Sequence, residues 1–270
     1  TWSGPSRPAS VDVIVTLSDG TTKLISSTTT IANNEAAPDV VFPGPVANID
    51  SGETFATIQA AIDDSDTQTG HTISAEAGAY SEAVNVTKSV TIKGAQSGVD
   101  ARTRATSDES IINGGFTITS PNVTIDGFTF NGSISAVEFN TAGTTVKNNI
   151  VSSSSVEGSF RTEHISTVAS NTVISQNKFT SGDVDIRYLG NKNIKASGIV
   201  IENNRSSNPR TFLVLNNTEG ADVTGNAVSS ATGTAIALQG GNKDLSITRN
   251  NIQGARNPIT LDKQYITGGI

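Results

Sequence analysis

The sequence predicts an all-β solenoid, a parallel β-helix, and three observations carry the prediction. A short frame recurs along the chain, an asparagine holds the same slot in each recurrence, and the apolar content suits a narrow core. In residues 245–252, Leu-Ser-Ile-Thr-Arg-Asn-Asn-Ile, Ile247 is followed three positions on by Asn250 and five on by Ile252. Val223, Asn226 and Val228 fit the same frame, as do Ile174, Asn177 and Phe179, and Val146, Asn149 and Val151. Ile201 and Asn204 fit with Ser206 in the last slot. The five asparagines stand 28, 27, 22 and 24 residues apart, the length of one solenoid turn. An apolar pair flanking an asparagine describes two inward-facing strands that meet at a corner, where Asn tolerates the left-handed backbone a sharp turn demands. Stacking the coils would join Asn149, Asn177, Asn204, Asn226 and Asn250 into a ladder of amides bonded rung to rung.

Composition narrows the class further. Of 270 residues 35% are hydrophobic and 5% aromatic, too few for a thick core but enough for a β-helix, and no apolar run approaches the ~18 residues of a membrane span. The formal net charge is -7 and the basic residues are scattered, which argues against nucleic acid and anionic membrane as partners. Without cysteine there are neither disulfides nor thiolate metal sites, and two histidines remain for imidazole chemistry. A Cys-free chain rich in Ser, Thr and Asn points to an extracellular or cell-surface location. The start at Thr1 without a leader pattern predicts a processed form.

Residues 1–50 do not follow the repeat. Val11, Val13, Val15 and Leu17 place apolar residues at every second position, Asp19-Gly20 is a turn signal, and residues 22–25 resume strand character, which predicts a β-hairpin arm. Pro38, Pro43, Gly44 and Pro45 mark a linker. The expected division is therefore an arm and linker over 1–50 and a solenoid over 51–270. Phe55, Ile58 and Ile62 lie on one face of a short helix over 54–63, placed to cover the open end of the core. Residues 97–110 are polar and break the spacing, which predicts a loop thrown out from the stack. Residues 152–170 and 181–197 are the longer segments between corners.

Three stretches carry a family resemblance: residues 55–62 (Phe-Ala-Thr-Ile-Gln-Ala-Ala-Ile), residues 77–82 (Ala-Gly-Ala-Tyr-Ser-Glu) and residues 88–94 (Lys-Ser-Val-Thr-Ile-Lys-Gly). They resemble the opening of right-handed parallel β-helix proteins of the pectate-lyase and pectin-methylesterase type, and residues 123–128 are similar to their coils. The resemblance spans about residues 53 to 261 and implies a right-handed parallel β-helix with an N-terminal capping helix. It does not choose a function, because that superfamily includes lyases, hydrolases, esterases, tailspikes, adhesins and surface-layer proteins.

The register lets outward residues be read coil by coil. Asp126, Lys147, Ser175, Glu202, Thr224 and Thr248 follow the first apolar residue; Lys178, Arg205, Ala227 and Asn251 follow the corner; Glu138, Arg187, Val214, Ala237 and Thr260 lie on the third strand. No row concentrates carboxylates. A glycosidase needs two carboxylates at a set separation, and the resemblance to lyases implies an acidic Ca²⁺ cluster with a basic proton acceptor. The nearest approach is Lys178 with Asp183, Asp185 and Arg187, beside Arg161, Glu163 and His164 on the preceding coil; Asp183 and Asp185 would be the metal candidates. The alternative is a solvated face with ion pairs such as Glu138 with Arg187. The esterase motifs have no counterpart, since residues 235–239 are a strand followed by Gly240-Gly241. His164 and His71 are far apart in sequence, so a zinc site is not expected, and no cofactor is predicted unless a lyase-type Ca²⁺. Asn-x-Ser/Thr triplets begin at Asn85, Asn122, Asn131, Asn204 and Asn216.

These residues favour a structural or adhesive surface protein over an enzyme. Residues 265–270 offer no polar cap, so end-to-end self-association, through this edge and the N-terminal hairpin, is the expected partner mode. A polysaccharide lyase or glycoside hydrolase working in a groove on the side of the solenoid is the alternative. Exposed aromatics for a carbohydrate-binding module are sparse, with Trp2, Tyr80 and Tyr265 dispersed.

Overall fold

The computed structural model describes residues 11–16, 22–27, 44–131, 135–152, 156–158, 169–180, 184–189 and 194–261. The chain divides into two compact units, residues 1–42 and 43–270. In the first, Val11–Thr16 and Thr22–Ser27 pair antiparallel, Val11 opposite Ser27 and Thr16 opposite Thr22. The Asp19-Gly20 turn and the linker prolines Pro38 and Pro43 lie outside the described residues.

The second unit is a parallel β-solenoid. Each circuit gives one short strand to each of three sheets. The first sheet runs from Thr72–Ala75 to Ser246–Thr248, the second from Gly78–Tyr80 to Asn251–Gln253 and the third from Val84–Val86 to Asn257–Leu261. The second and third hold eight strands each; the first reaches ten by adding Val46–Asn48 and Thr54–Phe55 in antiparallel pairing. The inner row of the first sheet is Ile73, Ile92, Ile125, Val146, Ile174, Ile201, Val223 and Ile247 in direct register. All but Ile247 are fully buried, and burying one such side chain is worth about 1.5–3 kcal/mol. β-Branched residues suit this stack because their restricted χ1 fits the pleated surface.

The ladder joins the first sheet to the second. Asn149 donates its backbone N–H to Asn177 Oδ1 (2.9 Å), and the same step repeats from Asn177 to Asn204, Asn204 to Asn226 and Asn226 to Asn250, each at 3.0 Å. Each side-chain Nδ2 also reaches back to a carbonyl of the preceding coil, as Asn204 does to Ile174 O at 2.8 Å. At the head of the column stands Phe128, whose N–H donates to Asn149 Oδ1 (2.9 Å) while its ring packs edge-on against Phe116. The left-handed residue is not the ladder asparagine, as the repeat suggests, but the one before it: Gly127, Asn148, Gln176, Asn203, Gly225 and Arg249 all have φ between 53° and 84°. The corner turns first, and the asparagine then points its amide inward.

Three expectations are corrected at the N-terminal side. The solenoid unit starts at Pro43 rather than 51, because Val46–Asn48 pairs with Thr72–Ala75 and Asn48 buries its amide on Thr67 Oγ1 (2.7 Å). The helix covers Ile58–Asp63, not 54–63, because Thr54–Phe55 extends to pair with Val46 and Ala47. Thr57 caps it by accepting from Ala60 N, and the Glu82 carboxylate accepts from Ile58 N (2.9 Å) and Gln59 N (3.0 Å). Ile58, Ala61 and Ile62 enter the core. The loop expected over 97–110, finally, is not thrown outward but folded back on the corner, and it ends before Ser110, which opens the strand Ser110–Ile112. Arg104 forms a buried pair with Glu109 (2.9 Å) and donates to the carbonyls of Phe128, Val99 and Asn148. Glu109 also accepts from Thr129 Oγ1 (2.9 Å). A buried pair is tolerable only with its remaining donors and acceptors filled, and Val99 of the loop together with Phe128, Thr129 and Asn148 of the coils does that.

Candidate functional site

Strand register places the outward residues. On the first sheet Lys93, Asp126, Lys147, Ser175, Glu202, Thr224 and Thr248 form one row. Asp126 in it is buried, held by Ser97 Oγ (3.0 Å), Gly98 N (3.1 Å), Asn148 Nδ2 (2.8 Å) and Lys147 (3.7 Å). That carboxylate clamps the start of the 95–109 loop. On the third sheet Glu138 is followed by Glu157 and only then by Arg187. Glu138 and Arg187 are therefore not neighbours, because Val156–Gly158 supplies a rung inside the long 152–170 segment.

The sequence-predicted cluster divides between walls. Lys178 faces out from the second sheet, between Ile150 and Arg205. Arg187 faces out from the third. Asp183 and His164 lie outside the described residues, as do Arg161 and Glu163. Asp185 is turned into the core and is 1% exposed. Its Oδ2 accepts from Ser206 Oγ, and its Oδ1 has no hydrogen-bond partner. Burial raises its pKa to about 7 against the lowering effect of the Ser206 bond. Asp185 and Ser206 are two polar residues in positions where the repeat calls for apolar ones, and they bond to each other across adjacent coils.

The second sheet's outer face carries a different constellation. Thr129, Ile150, Lys178, Arg205, Ala227 and Asn251 form one outward row; Ser152, Thr180, Ser207, Ser229 and Gln253 form the next. A groove of about 460 Å³ lies over the later coils, lined by Arg102, Thr103, Arg205, Ser229, Asn251 and Gln253. Arg102 is held at its Nε and Nη2 by Asp100 (3.0 and 2.6 Å), and this contact keeps the Asp100 carboxyl below its usual pKa range. The sequence identifies Arg205 as outward; the part of Arg102 and Thr103 follows only from the loop folding back.

Among the described residues, Glu53, Asp64 and Asp66 bring carboxylate oxygens within 4.8 Å of one another and could hold a cation. His71 Nδ1 lies 3.1 Å from Asn48 Nδ2 and packs at the start of the stack.

No protein-family model matches the chain. It is 35% identical over 114 residues to the cell surface glycoprotein of Methanothermus fervidus. The match covers 42% of this chain and 18% of that protein's length. No helix among the described residues is long and apolar enough to cross a membrane. A parallel β-solenoid with a distant likeness to a cell surface glycoprotein is consistent with a surface protein.

Proposed function

We propose that the chain is a structural module of a cell surface, a wall of stacked coils that associates end to end with further copies. The observation that carries this reading is the distribution of side chains. The interior is bonded rung to rung, whereas the outer rows mix short polar residues with scattered charges of both signs. The likeness to a cell surface glycoprotein supports the same location. Exposed Asn85 and Asn131, each opening an Asn-x-Ser/Thr triplet, leave room for the glycans that the relative's name implies, whereas Asn204 is sealed in the ladder.

Self-association is supported by the last described coil. Ile259 and Leu261 are 45% and 42% exposed, and Ile247 and Ile252 are half-buried where their counterparts in earlier coils are covered. Such a surface is a template for strand and core addition. We read the solenoid as right-handed, the hand that parallel strand crossovers take almost without exception. The helix Ile58–Asp63 is read as the cap of the first coil on the strength of its buried face.

Protease shaving of intact source cells should release peptides of this chain before lysis; recovery only after lysis overturns the surface reading. Light scattering should show mass rising with concentration, and Leu261→Asp should lower it. Mass unchanged by Leu261→Asp and by deletion of residues 1–45 overturns association through these ends.

A further inference from the structure

We propose that the groove on the outer face of the second sheet is a binding site for an anionic sugar, a hexose-sized ligand carrying one oxyanion. The location does not depend on the surface reading.

The first argument is electrostatic. Lys178 and Arg205 are direct partners on adjacent strands, about 4.8 Å apart along the stack. Like charges so placed repel. Neither has an ion pair or side-chain hydrogen bond among the described residues, and no carboxylate lines the groove. A chain with a formal net charge of -7 has acidic residues to spare, yet among the described residues none pairs with Lys178 or Arg205. An anion laid on Arg205 would.

The second argument is shape. The next residue in the row is Ala227, followed by Asn251. An alanine between an arginine and an asparagine leaves a dip about two strand spacings wide, roughly 9 to 10 Å. The loop supplies the opposite wall. It is stiff, because Arg104 and Glu109 are bonded beneath it, and Asp100 holds Arg102 so that Nη1 is left without a partner among the described residues. The volume of about 460 Å³ falls in the range of small-ligand clefts.

The third argument is the chemistry of the floor. Ser229, Asn251 and Gln253 are exposed and present hydroxyl and amide groups that both donate and accept, as sugar hydroxyls require. Arginine matches the fork geometry of a carboxylate, sulfate or phosphate. Arg205 fixes the oxyanion, and the hydroxyl and amide column reads the ring.

Calorimetric titration of the full chain with glucuronic acid and with N-acetylglucosamine 6-sulfate tests the site, with N-acetylglucosamine and inorganic sulfate as controls. At least one anionic sugar should bind saturably, at least tenfold tighter than either control. Arg205→Ala should weaken it tenfold or more, and Ala227→Glu, which fills the dip with a like charge, should abolish it. Both residues are exposed, so thermal unfolding of the variants should match the parent. Equal binding of the neutral sugar, equal binding of sulfate alone, unchanged affinity in Arg205→Ala, or no binding of either anionic sugar overturns the proposal.

Discussion

Asn177 Oδ1 accepts two hydrogen bonds from Asn149, one from its backbone N–H (2.9 Å) and one from its side-chain amide (3.2 Å). One oxygen thus closes both the backbone and the side-chain needs of the rung below, and the arrangement repeats up to Asn250. Asn204→Ala would strand the Asn177 N–H, one hydrogen of the Asn177 amide and the Ile174 carbonyl in a buried site, while the amide keeps its bond to the Val146 carbonyl. With ~1–3 kcal/mol per unsatisfied buried group, the expected loss is about 3 kcal/mol or more. Asn250→Ala removes a half-buried final rung and should lose about 1 kcal/mol. Urea unfolding of the two variants checks the order; equal losses would contradict a ladder that propagates.

The offset between the left-handed residue and the ladder asparagine gives a second test. Arg249 is exposed with φ 56°, a conformation that costs a non-glycine residue about 1–2 kcal/mol. Arg249→Gly should therefore raise stability, by up to about 1 kcal/mol, while Asn250→Gly, one position on, should lower it. Thermal melts of both variants decide whether the corner or the ladder slot holds the strained backbone. At Gly127 the same corner admits no side chain, since a Cβ there would lie 2.1 Å from Ser97 N.

Much of the solenoid is legible in the sequence because its inner rows obey a period of two and its corners recur at fixed offsets from Ile174, Ile201 and Val223. The rows of outward residues on the first and second sheets follow from the same counting. The third sheet is less legible: Val156 and Gly158 form a rung inside a polar segment, and nothing in their spacing separates them from a loop. The 95–109 loop is illegible for a different reason. Its shape depends on Arg104 reaching carbonyls of Phe128 and Asn148, which become neighbours only after the coils stack. Asp185 looks like a surface acid until Ser206 is seen to fill an apolar slot beside it; the two departures from pattern are one contact.

Asp185 also predicts an inverted pH dependence. Its ordinary pKa of 3.8 rises to about 7 in the fold, so between these values the folded state holds a proton that the unfolded state releases. Stability must then fall as pH rises from about 4 to about 7, by a few kcal/mol at most. Asp185→Asn keeps an acceptor for Ser206 and removes the titration. The stability difference between variant and parent should grow in the variant's favour across that window and be flat outside it. A difference independent of pH from 4 to 8 would show that the carboxyl is solvated.

The helix at the start of the solenoid depends on one carboxylate from the chain that follows it. Glu82 accepts from Ile58 N and Gln59 N, while Gln59 bonds the Asn85 backbone at both ends, accepting its N–H at 2.7 Å and donating to its carbonyl at 3.3 Å. The first helical turn and the edge of the third sheet are thereby fastened together. Glu82→Ala should cost about 1–2 kcal/mol, the range of a lost helix cap, and Gln59→Ala should expose the Asn85 N–H to solvent exchange. If the contacts act as one fastening, the double variant should lose less than the sum of the single losses, a coupling that a double-mutant cycle reads directly. Strict additivity would mean that Glu82 caps the helix without helping to hold it against Val84–Val86.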